Sequence, residues 1–209
     1  KREGAWKGIR PWDLYREAAM PYEWQPRLKN IAEELGLIFF SSPFDLQGID
    51  FLESLHVPCY KIASFEITDI PLIEKAASMG KPMIISTGVA DEADIRAALA
   101  ACHTAGNRDV TLLKCTSEYP ARIDQANLNM IADMRERFGV SIGISDHTMG
   151  SLVPALAVAL GATMVEKHFI LDRSQGGPDA AFSMEPSEFA QMVEQVRATE
   201  KALGVVEYQ

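Results

Sequence analysis

The sequence is short of cysteine, of positive charge and of long apolar runs, and each shortage removes a class of protein. Its three cysteines, Cys59, Cys102 and Cys115, have neither the even number nor the spacing of a disulfide framework. That points to a reducing, cytoplasmic compartment. Lys and Arg number 20 against 29 Asp and Glu, a formal net charge of −9. Such an acidic balance argues against nucleic acid or an anionic membrane as partner. No apolar run approaches the roughly 20 residues of a membrane-spanning helix, and no signal-peptide pattern opens the chain. No glycine-rich dinucleotide fingerprint follows the first strand-like run, and no Walker motif occurs.

What is there is an ordinary globular composition, 47% hydrophobic and 23% charged over 209 residues. Short β-branched or apolar runs alternate with helical spacings. The expected strands are Leu37–Ser41, Cys59–Ala63, Pro82–Thr87, Val110–Thr116, Ser141–His147 and Met164–Phe169. Between and around them helices are expected at Trp12–Met20, Leu28–Leu35, Gln47–Leu55, Ile70–Met79, Asp91–Ala105, Gln125–Phe138 and Leu152–Leu160. A last helix is expected at Glu188–Leu203, with Ser187 as its cap. The segment Asp172–Phe182 reads as a loop.

Strands that alternate with helices form a parallel sheet with right-handed crossovers. A doubly wound sheet and a (β/α)8 barrel both satisfy this pattern. The barrel is favoured, because polar residues close every strand rather than one switch point. A complete barrel takes roughly 250 residues and eight strands. The expectation is therefore an α/β fold of TIM-barrel type in a single domain, residues 1–209, holding about six of the eight βα units. The missing strands are expected upstream. Trp6, Trp12 and Trp24 are expected to pack, or to form a lid over one end.

Two histidines stand at strand ends. In a strand, residues two apart face the same side, so Ser145 pairs with His147 and Glu166 with His168. Imidazoles meeting at one rim, with water and substrate completing the shell, would make an open catalytic metal site. Hydrogen-bonded rim histidines explain the same pattern. Lys61 and Lys114 lie inside strands, where an unpaired lysine is costly. They could clamp an anion together with the hydroxyls of Ser42, Ser64, Ser86, Thr87, Thr116, Ser117 and Ser145. They could equally pair with Glu66 or Glu166, or snorkel outward. Arg173 or Asp179 could reach a substrate from the loop Arg173–Asp179, although a turn-rich connection is the plainer reading. Cys115 reads as a packed thiol rather than a nucleophile.

Six stretches taken together, Phe40-Ser-Ser-Pro-Phe44, Tyr60-Lys-Ile-Ala-Ser-Phe-Glu66, Ile85-Ser-Thr-Gly88, Lys114-Cys-Thr-Ser117, Ser145-Asp-His-Thr148 and Glu166-Lys-His-Phe169, resemble the sialic acid synthase family. The resemblance runs from about Trp12 to the C-terminus. Lys114–Ser117 and the run Gly176–Ser183 are most similar to its pseudaminic acid synthase branch.

The resemblance implies a metal-bearing (β/α)8 barrel that condenses phosphoenolpyruvate with an N-acylated amino-sugar aldehyde and releases phosphate. By that resemblance His147 and His168 bind a divalent metal, Mn²⁺ or Mg²⁺. Lys61, Ser64, Ser86, Ser145 and Ser42 hold phosphoenolpyruvate. Glu66 shuttles a proton and, with Asp179, faces the amino sugar. Lys114, Ser117 and Tyr119 complete the substrate-binding set. Ser117 stands where the sialic acid synthases proper carry asparagine, and Lys114 where they carry histidine.

The family's first-strand glutamate, its second-strand lysine and its C-terminal antifreeze-like domain have no counterpart in the sequence. The expectation is a fragment of a homodimeric enzyme, weakly active or inactive alone. Without the resemblance, a Schiff-base aldolase using Lys61 or Lys114, another phosphoenolpyruvate-using sugar synthase, and a non-catalytic barrel remnant stay open.

Overall fold

The computed structural model of the chain describes residues 8 and 10–208, so Trp6 lies outside the described residues. Along the chain come α1 (Pro11–Ala18), α2 (Gln25–Glu34), α3 (Leu46–Ser54), β1 (Tyr60–Ile62), α4 (Ile70–Ser78), β2 (Met83–Ser86) and α5 (Glu92–Thr104). Then follow β3 (Val110–Cys115), α6 (Met130–Phe138), β4 (Ser141–Asp146), α7 (Leu152–Ala159), β5 (Val165–Lys167) and α8 (Pro186–Leu203). The alternation of strand and helix expected from the sequence is present, in two compact units. One is Ala19–Leu113; the other gathers Lys114–Gln209 with Lys1–Ala18.

In the first unit β1 and β2 run parallel with Tyr60 opposite Met83, and β2 runs parallel to β3 with Ile85 opposite Leu112. All four residues of β2 and all three of β1 are buried. Burial on both faces is why β2 reads as a continuous apolar run, Met83-Ile84-Ile85, rather than an alternating one, while β1 carries the buried Lys61 between two apolar residues. Helices cover them with Leu72, Ile73, Ala76 and Ala98, all fully buried. Local chemistry fixes where the helices start. The Asp69 carboxylate accepts from Leu72 N and caps α4. Asp91 and Asp94 form a reciprocal capping box at α5.

The second unit repeats the pattern. Strands β4 and β5 pair in parallel, α7 packs on α8, and Gly139 (φ 66°) closes α6 in the left-handed region that glycine tolerates. Helix α8 starts earlier than expected. Its cap is Glu185, not Ser187, because Glu185 and Glu188 bond each other's backbone N–H groups and Pro186 occupies the first turn.

Two expectations are corrected. Leu37–Ser41 forms no strand: no described segment joins it in a ladder, and Leu37 and Ile38 are 60% and 75% exposed. A β-strand exists only with a partner for its backbone groups. Five strands are described, not six, and Ser42 is therefore not at a strand end. Trp12 and Trp24 are 69% and 59% exposed, which removes the packing alternative for these two and leaves the lid.

Candidate active site

The pairing of β4 with β5 builds the centre of the site. Ile144 lies opposite Val165, Ser145 opposite Glu166, and Asp146 opposite Lys167. This register aligns Ser-Asp-His with Glu-Lys-His residue for residue, so the two histidines follow as neighbours on adjacent strand ends. Alternation then puts Ser145 and His147 on one face with Glu166 and His168. Ser145 Oγ donates to Glu166 Oε1 at 2.6 Å, and the two imidazole centroids are 5.2 Å apart.

His147 is buried and oriented. Its Nδ1 is 2.9 Å from the Thr116 carbonyl oxygen. A carbonyl can only accept, so Nδ1 carries the proton and Nε2 keeps the lone pair. Burial disfavours the imidazolium, but the bonds to Cys115 and to the Thr116 carbonyl outweigh it and raise the His147 pKa. His168 behaves oppositely. Burial lowers its pKa, the Asp179 carboxylate opposes that, and neighbouring His147 adds to it. Asp179 Oδ2 stands 3.6 Å from His168 Nδ1.

Aromatic rings wall this pair. Tyr119 lies 4.3 Å from His147 and 6.1 Å from His168 between centroids, and Phe182 lies 5.0 Å from His168. Burial pushes the Tyr119 phenol up to about 12, so it is a neutral donor at physiological pH. Lys114 is buried, and its Nζ donates to Thr116 Oγ1 at 2.6 Å. Desolvation lowers its pKa, with Cys115 and Asp146 working the other way. Cys115 is buried, 4.0 Å from His147 Nδ1 and 3.8 Å from Ser117 Oγ. It packs, as expected of a strand thiol.

The loop after β5 is turn-rich, with Gly176 and Gly177 at positive φ. Arg173 is tied to the start of α8: Nε donates to the Ser183 carbonyl, and the guanidinium bridges Glu185 and Glu188. Asp179 and the Phe182 ring are the parts of this segment that stand against His168 among the described residues.

A second group sits at the strand ends of the first unit. Lys61 Nζ donates to Ser86 Oγ at 2.8 Å and to the Ile62 carbonyl at 2.9 Å. Ser64 Oγ accepts from Gly88 N at 3.1 Å. Burial raises the Glu66 pKa, its own backbone N–H and Lys61 hold it down, and Asp69 pushes it up. Glu66 Oε2 is buried without a hydrogen-bond partner among the described residues. Ser42, half-buried, precedes Pro43 in the segment that forms no strand.

Sequence reasoning missed two features. One is the Thr116 carbonyl, a backbone atom that no residue type signals. The other is a buried ion pair, Asp146 Oδ2 to Lys167 Nζ at 2.8 Å, on the face opposite Ser145 and Glu166. Its signal was present, since the same register that aligns the histidines sets Asp146 against Lys167.

Among the described residues no group of three or more His, Cys, Asp and Glu converges as a metal cage. The two imidazoles, one with its Nδ1 proton fixed on a carbonyl, fit an open site in which water and substrate supply the remaining ligands.

The model of the NeuB family matches residues 1–208. The chain is similar to the pseudaminic acid synthase of Helicobacter pylori, at 49% identity over 95% of the chain and 58% of that protein. It is similar to the N,N'-diacetyllegionaminic acid synthase of Campylobacter jejuni, at 41% identity over 83% of the chain and 52% of that protein. Among solved structures, the N-acetylneuraminic acid synthetase of Leptospira borgpetersenii superposes with a TM-score of 0.90. It is 33% identical, and the match covers 97% of this chain and 72% of that one. The chain thus spans less than two thirds of the curated relatives it matches.

Proposed function

The chain belongs to the NeuB family, and from that premise we propose that the protein carrying it condenses phosphoenolpyruvate with an N-acylated amino-sugar aldehyde. The product is a nonulosonic acid, of which pseudaminic acid is favoured by the 49% identity to a pseudaminic acid synthase. The chain would hold part of a (β/α)8 barrel in one synthase domain, in a cytoplasmic homodimer that engages neither nucleic acid nor membrane. The net charge of −9 supports the last point, and no described helix is long and apolar enough to cross a membrane.

The observation that carries this reading is the in-register pairing that sets His147 and His168 side by side, with the His147 tautomer fixed. A divalent ion, Mn²⁺ or Mg²⁺, held by these two imidazoles would supply Lewis-acid polarisation of the aldehyde oxygen. The chain's own groups would do the rest. C3 of phosphoenolpyruvate bonds to the aldehyde carbon, and the positive charge that develops at C2 is quenched by water. The tetrahedral adduct then expels inorganic phosphate by breaking the C2–O bond.

Lys61 and Ser86, already bonded to each other, with Ser64, Ser145 and Ser42, would hold the phosphate and carboxylate of phosphoenolpyruvate. Glu66, whose buried Oε2 has no hydrogen-bond partner among the described residues, would exchange a proton with the sugar. Tyr119 would donate to the sugar beside Ser117, Lys114 and Asp179.

Phosphate release tests the proposal. It is expected only when phosphoenolpyruvate, a divalent ion and the amino sugar are all present, and chelator should stop it. Release without the sugar, or none with all three in the full-length protein, contradicts the reading. One observation favours a second reading: burial lowers the Lys114 pKa, as a Schiff-base amine requires. Borohydride trapping of a lysine adduct, insensitive to chelator, would select that aldolase instead.

A further inference from the structure

Behind the histidine pair lies a buried network that touches neither imidazole. Asp146 and Lys167 are the last residues of β4 and β5, and their side chains are 3% and 2% exposed. Asp146 Oδ1 accepts from Thr148 N at 2.9 Å, and Oδ2 accepts from Thr148 Oγ1 at 3.0 Å. Lys167 Nζ donates to the Thr148 carbonyl as well as pairing with Asp146. Every polar group of Thr148, which follows His147, is therefore held by residues that precede the two histidines. The clamp is closed elsewhere by backbone: Ala121 N donates to the His147 carbonyl and Met184 N to the His168 carbonyl, both at 2.9 Å.

We propose that Asp146, Lys167 and Thr148 form a positioning lock that fixes the spacing of the two imidazoles and so sets the affinity of the pair for a divalent ion. The proposal rests on the reading of His147 and His168 as metal ligands. Beyond the last ladder bond a parallel pair of strand ends depends on contacts of this kind, without which the next residues would fray. Here a salt bridge ties one strand end to the other, and its two partners together grip the residue on the far side of His147. Removing such a support leaves both ligands in place but lets their separation vary. Loss of the partners that orient metal ligands weakens metal binding by about 10- to 100-fold.

The test is Mn²⁺ affinity, read as free Mn²⁺ by electron paramagnetic resonance, with folding followed by circular dichroism. Lys167→Met is expected to stay folded and to bind Mn²⁺ about 10- to 100-fold more weakly. Lys167→Arg, which keeps the ion pair, should recover most of that loss. Thr148→Val removes one hydroxyl bond and leaves the ion pair, so it reports on the lock if Lys167→Met does not fold; it should weaken binding by a smaller factor. Wild-type affinity in Lys167→Met or, failing its folding, in Thr148→Val, with affinity lost in His147→Ala, would overturn the lock while leaving the proposed function standing. Absence of Mn²⁺ binding in the wild-type protein itself would overturn both.

Discussion

Glu66 and Lys61 show how burial gives a side chain its use. Desolvation raises the Glu66 pKa, so its contribution to stability is fully present below the unfolded value of about 4.3. It is lost as pH rises through the folded value. Glu66→Gln should therefore gain stability relative to wild type as pH climbs through and above the ordinary glutamate range, measured by urea unfolding at several pH values. A difference that stays flat with pH contradicts the assignment. The same substitution should slow turnover more than it raises KM. Lys61 is matched to Ser86 and the Ile62 carbonyl, an arrangement suited to a fixed cation facing an anion. A hydrogen bond to a charged group contributes about 1.5–3 kcal/mol, so Lys61→Met should raise the KM for phosphoenolpyruvate roughly 10- to 100-fold in steady-state kinetics. An unchanged KM would remove Lys61 from the proposed phosphate site. At this scale the sequence was informative about residue type and position, and silent about partners. Nothing in it distinguishes Lys61 bonded to Ser86 from Lys61 paired with Glu66, because that depends on side-chain direction across 25 residues of separation.

Elements were legible where local chemistry decides them. The acidic first turn of α5 is a capping box, and Asp91→Ala should cost about 1 kcal/mol, seen as a lower urea midpoint with unchanged slope. No loss would mean that the reciprocal bonds of Asp91 and Asp94 do not persist in solution. Gly161, just past α7, has φ +96° and the Arg135 guanidinium where a Cβ would stand. Gly161→Ala should destabilise by about 1–2 kcal/mol from the left-handed backbone alone, checked by the same unfolding curve. Elements failed where the decision is tertiary. Leu37–Ser41 has strand composition, but composition cannot supply a ladder partner. Ser187 has the residue type of a cap, yet Glu185, two residues earlier, makes a reciprocal bond that a lone serine cannot.

For the molecule as a whole, the alternation of strand and helix announced an α/β fold before any coordinates. The superposition at TM-score 0.90 over 97% of the chain agrees with it. The division into two compact units was not legible, because its boundary falls inside β3, between Leu113 and Lys114, where no glycine, proline or charge run marks it. The histidine pair was legible for a physical reason. Two strands that end in the same polar pattern and pair in parallel register must bring like residues together. Asp146 and Lys167 followed from the same register and were overlooked because an adjacent acid and base in separate strands carry no motif.

The most direct measurement is pulsed electron paramagnetic resonance of Mn²⁺ bound to the protein, read for nitrogen coupling. Two imidazole nitrogens are expected at the ion, falling to one in His147→Ala or His168→Ala. An ion that binds with no nitrogen coupling, or with a coupling that both substitutions leave unchanged, would contradict the paired-histidine centre.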